Sequence, residues 1–248
     1  MLSRIWPFRP PSSEVTPAEA ASKAITSLPA ADKLTLDDAD SVAAARKAYD
    51  ALSADEKKSV SADTLKKLTD AEARMSALYA PINKVVEEID ALPAPNAAKY
   101  TNIDAVYEAK MAYDELSDAE KAKVGKAYEY KLDDVIAAMV KTGAAGTFNK
   151  ATVTAEDIAK AQALGAKSIT LGKKVRKVKA GALAESSAKT LIVKTKKLTK
   201  SRVKGSLTGS KITTVKVKIG KAKVNKKYVK KYKKIFTKKN AGRKVTVK

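Results

Sequence analysis

The chain has 248 residues, a formal net charge of +23, 44% hydrophobic residues and only 5% aromatics. That length admits two modest domains, and an apolar share rich in alanine favours helices packed through small residues over one large core. With neither cysteine nor histidine in the sequence, disulfides, thiolate metal ligands and Ser–His or Cys–His catalysis are excluded.

The charge is divided. Residues 1–150 carry 20 Lys+Arg against 24 Asp+Glu, and residues 151–248 carry 30 against 3. A split of this size marks two segments with different partners. The first residues, Met1–Glu14, read as a disordered N-terminal tail, because their apolar stretch is short and broken by proline, unlike a signal peptide. No apolar run approaches the roughly 18 residues of a membrane span.

Residues 15–80 form a first helical bundle by their punctuation. Thr16-Pro17-Ala18-Glu19 and Ser53-Ala54-Asp55-Glu56 are capping boxes, the first with proline at the opening helical position. Pro29 closes the first helix, while Val42, Ala45, Tyr49 and Leu52 keep helical spacing. The last helix is expected to end near Tyr79, ahead of Pro81. Asp37, Asp38 and Asp40 lie near a helix start, where they favour the dipole more simply than they bind a cation. Tyr49 reads as a core tyrosine with its hydroxyl at the rim, and so does Tyr113 in the next unit.

Residues 81–141 repeat the first unit at an offset of 64 without a gap. Ile25, Leu28 and Pro29 recur as Ile89, Leu92 and Pro93. The run Ala48-Tyr49-Asp50-Ala51-Leu52-Ser53 recurs as Ala112-Tyr113-Asp114-Glu115-Leu116-Ser117. Glu56-Lys57, Val60, Leu68 and Met75 recur as Glu120-Lys121, Val124, Leu132 and Met139. The Ala-Tyr-Asp-x-Leu-Ser-x-x-Glu-Lys pattern at 48–57 and 112–121 resembles the small helical repeats of large Gram-positive bacterial surface proteins. That resemblance covers roughly residues 15–141 and implies a spacer or weak binding stalk.

Residues 142–167 read as a linker with a short helix, capped by Thr154 with Asp157 and closed by Gly165. From 168 to 248 the pattern turns to strands. Valine, isoleucine and leucine alternate with lysine and threonine, as in Val175-Arg176-Lys177-Val178 and Val215-Lys216-Val217-Lys218-Ile219. Gly181, Leu183, Ser186, Thr190, Leu191 and Val193 recur 24 residues on as Gly205, Leu207, Ser210, Thr214, Val215 and Val217. Ile169-Thr170-Leu171 precedes Leu191-Ile192-Val193 by 22 residues, and Val245-Thr246-Val247 follows Val215 by 30. Between the last two strands, Tyr228, Val229, Tyr232, Ile235 and Phe236 form one helical stripe, read as core and not as a stacking platform.

One strand per 22–30 residues is the period of a leucine-rich solenoid. Ala182-Leu183, Ser186, Ala188, Leu191 and Val193, then Ser206-Leu207, Ser210, Ile212, Val215 and Val217, resemble BspA-type leucine-rich repeats of bacterial surface proteins. Leucine here replaces the phenylalanine common in that family, and serine replaces its cysteine. The expected fold is thus multi-domain α plus α/β-solenoid, two tandem small helical bundles followed by a short leucine-rich-repeat-like parallel β solenoid.

The dense lysines make a long-range positive field that attracts polyanions. The candidate polyanion-binding residues are Lys173, Lys174, Arg176, Lys177, Lys226, Lys227, Lys230, Lys231, Lys233 and Lys234. No phosphate loop, nucleophile elbow or metal motif occurs. Adjacent carboxylates such as Glu87-Glu88 and Asp133-Asp134 point to different sides of a helix. The expectation is a non-enzymatic protein without cofactor or metal, extracellular or cell-wall associated, with an adhesive or structural role. Its expected partners are anionic wall polymers, glycans or a host surface protein. The alternative is a non-specific nucleic-acid binder working through phosphate contacts, since no helix-turn-helix, zinc-finger or RNA-binding signature is present.

Overall fold

The computed structural model describes residues 15–248, and the expected N-terminal tail lies outside them. The chain divides into two compact units, one ending at Asn83 and the other spanning Lys84–Lys248. It is a mixed fold of helices and a parallel-stranded sheet.

The first unit contains α1 (Pro17–Thr26), α2 (Ala39–Asp50), α3 (Ala54–Lys58) and most of α4 (Ala62–Asp90). Thr16 and Glu19 close a full capping box on α1, and Ser53 and Glu56 close one on α3. Each box satisfies amides that the first helical turn leaves without partners. Asp38 is likewise occupied as a cap, accepting from the amide and hydroxyl of Thr35. Ile25, Leu28, Leu34, Val42, Ala45, Leu68, Ala71 and Met75 form the core, and Ala18, Ala21, Leu52 and Val60 form a second cluster. Alanine at 21, 45 and 71 lets helix backbones approach closely, while each fully buried leucine or isoleucine contributes about 1.5–3 kcal/mol.

The last helix of this unit does not stop near Tyr79. α4 runs through Pro81 to Asp90. The offset of 64 explains why. Pro17 opens α1 behind the cap Thr16, but its equivalent Pro81 follows Ala80, which has no side-chain oxygen, and Glu19 is replaced by Asn83. With the capping box gone, nothing interrupts the helix except the proline's missing N–H.

The second unit repeats the plan with α5 (Ile103–Glu115), α6 (Asp118–Val124) and α7 (Lys126–Thr142). The copies agree beyond their cores. Lys57 Nζ donates to Asp50 O at 3.2 Å, and Lys121 Nζ to Asp114 O at 3.2 Å. Lys67 Nζ donates to Thr26 O at 2.6 Å, and Lys131 Nζ to Asp90 O at 2.7 Å. The same two lysines of each copy tie down the carbonyls at the ends of its helices, where a positive charge is favoured. The copies differ at one face. Arg46 holds Glu72 through two bonds of 2.5 Å, whereas the equivalents Lys110 and Ile136 cannot form that pair.

Beyond α7 the chain forms β1 (Thr147–Phe148), β2 (Thr152–Val153), α8 (Ala155–Ala163), β3 (Ile169–Leu171), β4 (Lys177–Val178) and β5 (Thr190–Val193). β6 (Thr214–Val217), α9 (Ala222–Lys233), α10 (Lys238–Ala241) and β7 (Thr246–Val247) follow. The main sheet has the order β1-β3-β5-β6-β7, and β2 pairs with β4 apart from it. Every pairing is parallel. Residues 142–167 are therefore more than a linker, because β1 aligns Thr147 with Thr170 and starts the sheet well before residue 168. The stretch Val175–Val178 is not one alternating strand: Val175 and Val178 are buried at a spacing of three, and only Lys177–Val178 is extended. In β7 it is Val247, not Val245, that lies opposite Val215.

One face of the main sheet is apolar and inward: Phe148, Ile169, Leu171, Leu191, Val193, Val215, Val217 and Val247 are buried. Leu183, Leu198, Leu207 and Ile212 are fully buried within the same segment. Gly181 and Gly205, 24 residues apart, have φ of 66° and 65°, and the Gly181 amide donates to Gly205 O at 2.9 Å. This positive φ is a conformation open to glycine at little cost, which is why the recurring position carries it.

Candidate functional site

The basic side chains singled out in the sequence fall on two elements. Lys173, Lys174, Arg176 and Lys177 occupy the turn after β3 and the start of β4, and all four are exposed around buried Val175 and Val178. Their backbone is fixed. The Lys174 amide donates to Asn149 Oδ1 at 2.9 Å, and the Arg176 and Lys177 amides donate to Ala151 O.

Lys226, Lys227, Lys230, Lys231 and Lys233 stand exposed on α9, with Lys234 just beyond it. The helix is seated by its aromatic side. Tyr232 is fully buried and Phe236 nearly so, with ring centroids 6.0 Å apart at an angle of 81°. These rings are core, and only Tyr228 in the stripe remains partly exposed, with Lys231 Nζ 5.5 Å from its centroid.

A third turn, residues 194–197, ties the two groups together. Thr195 Oγ1 donates to Val175 O at 2.7 Å, Tyr232 Oη donates to Thr195 O at 2.5 Å, and Lys231 Nζ donates to Lys196 O at 3.2 Å. Lys231 is thus brought to the turn that also holds the 173–177 segment. Lys226, Lys227, Lys230, Lys233 and Lys234 are not; they point outward from α9 with no ion pair among the described residues. Lys196 and Lys197, exposed on the bridging turn, were not among the residues the sequence marked.

Sequence reasoning also missed a second array, on the outward face of β5–β7. Ile192 lies opposite Lys216. Lys248 donates to Val215 O and accepts from Val217 N, which sets it opposite Lys216. The Lys194 and Lys218 amides donate to Leu171 O and Val193 O, which continues the ladder one residue past the strands and makes these two lysines neighbours. Thr190, Thr214 and Thr246 form a row of hydroxyls on the same face. Adjacent strands lie about 4.8 Å apart, so backbone register holds these ammonium groups in rows. The alternation Val215-Lys216-Val217-Lys218 already put two lysines on one side. Their neighbours depend on register between strands, which no local pattern reveals.

Counter-charge is confined to the start of this segment. Lys150 Nζ lies 2.5 Å from Asp157 Oδ1, and Lys160 Nζ lies 2.8 Å from Asp104 Oδ1. Burial by itself would raise the Asp157 pKa, but the Lys150 ammonium and the amide and hydroxyl of Thr154 together hold it below the usual value. The Asp104 carboxylate raises Lys160. These pairs border a cleft of about 180 Å³ lined also by Tyr100, Ile103, Phe148 and Asn149. Its charges are satisfied internally, so it works as a joint between α5 and α8, with Asn149 Nδ2 donating to Tyr100 Oη at 3.1 Å. After Asp157 the only carboxylate side chain is Glu185, and among the described residues no Lys or Arg from Lys167 onward makes an ion pair.

No family model, curated protein or solved structure matches the chain. No helix among the described residues is long and apolar enough to cross a membrane.

Proposed function

We propose that this chain is a non-enzymatic, surface- or wall-associated protein whose tandem helical bundles serve as a stalk for a cationic β solenoid that contacts polyanions. The successive parallel strands, each returning to the last after one turn of 22–32 residues, support the solenoid reading. One observation carries the functional reading: lysines held in register on sheet and turns, with no carboxylate near them to neutralise the field. Fixed, unpaired ammonium groups bind phosphate, sulfate and carboxylate groups by releasing condensed counterions, and they read charge density more than chemical detail. Wall phosphodiester polymers and acidic glycans have that character, and an adhesive or anchoring role follows.

Nucleic acid is the second ligand class with the same charge. The aromatic rings that would stack on bases, Tyr232 and Phe236, are buried here, which favours the wall-polymer reading.

The test is binding of the purified full chain to teichoic acid, a sulfated glycan and duplex DNA across a salt series. Tighter binding to wall polymer than to DNA at equal salt, with log K falling linearly against log salt, is expected. A clear preference for DNA would overturn the reading.

A further inference from the structure

The C-terminal part of the chain is charged in a way that its own residues do not balance. Residues 189–248 contain 23 Lys+Arg and no Asp or Glu. The pairs Lys216 with Lys248 and Lys194 with Lys218 occupy neighbouring positions on adjacent parallel strands. Like charges directly opposite one another destabilise a sheet. The strands that bear them are short, four residues in β6 and two in β7. Earlier in the same unit the chain does supply counter-charge, pairing Lys150 with Asp157 and Lys160 with Asp104.

We propose that residues 189–248 take their missing counter-charge from multivalent oxyanions bound on the outward face of β5–β7, so that anion occupancy sets how firmly this segment is folded. The site consists of Lys194, Lys216, Lys218 and Lys248, with the hydroxyl row of Thr190, Thr214 and Thr246 beside them. A phosphate or sulfate chain bridges several ammonium groups at once, whereas chloride only screens them over a Debye length. An anion that binds the ordered rows and not the unfolded chain stabilises the folded form by mass action. The idea rests on the polyanion reading for the nature of the anion, and adds that the ligand is also part of what holds the last two turns together.

The experiment is hydrogen exchange on the full chain at low ionic strength, with inorganic polyphosphate as the probe and sodium chloride at matched ionic strength as the control. Amides of β6 and α9 are expected to gain at least about tenfold in protection with polyphosphate over chloride, while those of α5 and α8 stay unchanged. The variant K194Q/K216Q/K218Q/K248Q is expected to show the raised protection without polyphosphate and to gain little on adding it. The milder K216Q/K218Q is made alongside and is expected to move partway. Polyphosphate binding with no change in protection, or an equal effect of chloride, overturns the coupling and leaves the polyanion reading standing. Failure of polyphosphate to bind at all removes both.

Discussion

The phenol of Tyr232 donates a 2.5 Å hydrogen bond to the carbonyl of Thr195, and both residues are fully buried. Through this bond α9 is fastened to the turn that itself holds Val175 O, so one tyrosine sets where the α9 lysines sit relative to the turns. Removing the hydroxyl leaves a buried carbonyl short of a partner. Y232F is expected to cost about 1–3 kcal/mol in urea unfolding followed by circular dichroism. Burial raises the Tyr232 pKa above the ordinary tyrosine value. The folded chain therefore keeps this proton more tightly than the unfolded one. Its contribution is complete below pH about 10 and is lost as pH rises further, so the gap between wild type and Y232F should narrow above that pH.

The two serine caps are a paired control on the duplication. Ser53 and Ser117 each bond the amide of a glutamate three residues on, at 3.3 and 3.4 Å. S53A and S117A are each expected to cost about 1 kcal/mol, measured by chemical denaturation. A large loss from one and none from the other would show that the copies no longer share this device.

Acid should loosen the chain at named points. The pKa of Asp157 lies below its ordinary value, as do those of Glu56 and Glu120, each held down by its capping serine. For a depressed carboxylate the stabilisation is present above the unfolded pKa of about 4 and disappears as pH falls through the folded value. Thermal melts should therefore be flat from pH 7 to 5 and fall below about 4. D157N should blunt the part of that fall that comes from residues around α8.

Gly146 is packed against backbone. A Cβ there would lie 1.9 Å from Ser168 O, a contact no rotamer relieves. G146A is expected to destabilise by about 1–3 kcal/mol through overpacking. Loss of hydrogen-exchange protection in β1 and β3, with α1 and α2 unaffected, would locate the damage.

The duplicated bundles were legible because the offset of 64 preserved buried positions and caps together, from Ile25 and Ile89 to Ser53 and Ser117. The passage of α4 through Pro81 was not, because proline is the strongest local stop signal and the decisive fact was the missing cap at Ala80. Strands β3, β5 and β6 announced themselves by β-branched runs. β1 is two residues, Thr147 and Phe148, made extended by pairing with β3, so nothing local distinguishes it. The exposed α9 lysines followed from the stripe ending in Phe236. The lysine rows on the sheet did not, because loops of unequal length between strands hide which residues face each other.

The difference at Arg46 and Lys110 fixes an order in the chain. In the second copy, α5 meets α8: Lys160 pairs with Asp104 and lies 5.6 Å from the Tyr107 ring. The first copy has Asp40 and Ala43 at those positions, with the Arg46–Glu72 pair nearby on the same groove. The two modules have become specialists, one finished for solvent and one cut to receive a neighbour. Exchanging them would leave Lys160 resting on an alanine methyl where it now has a ring, so this tandem cannot be shuffled like interchangeable beads.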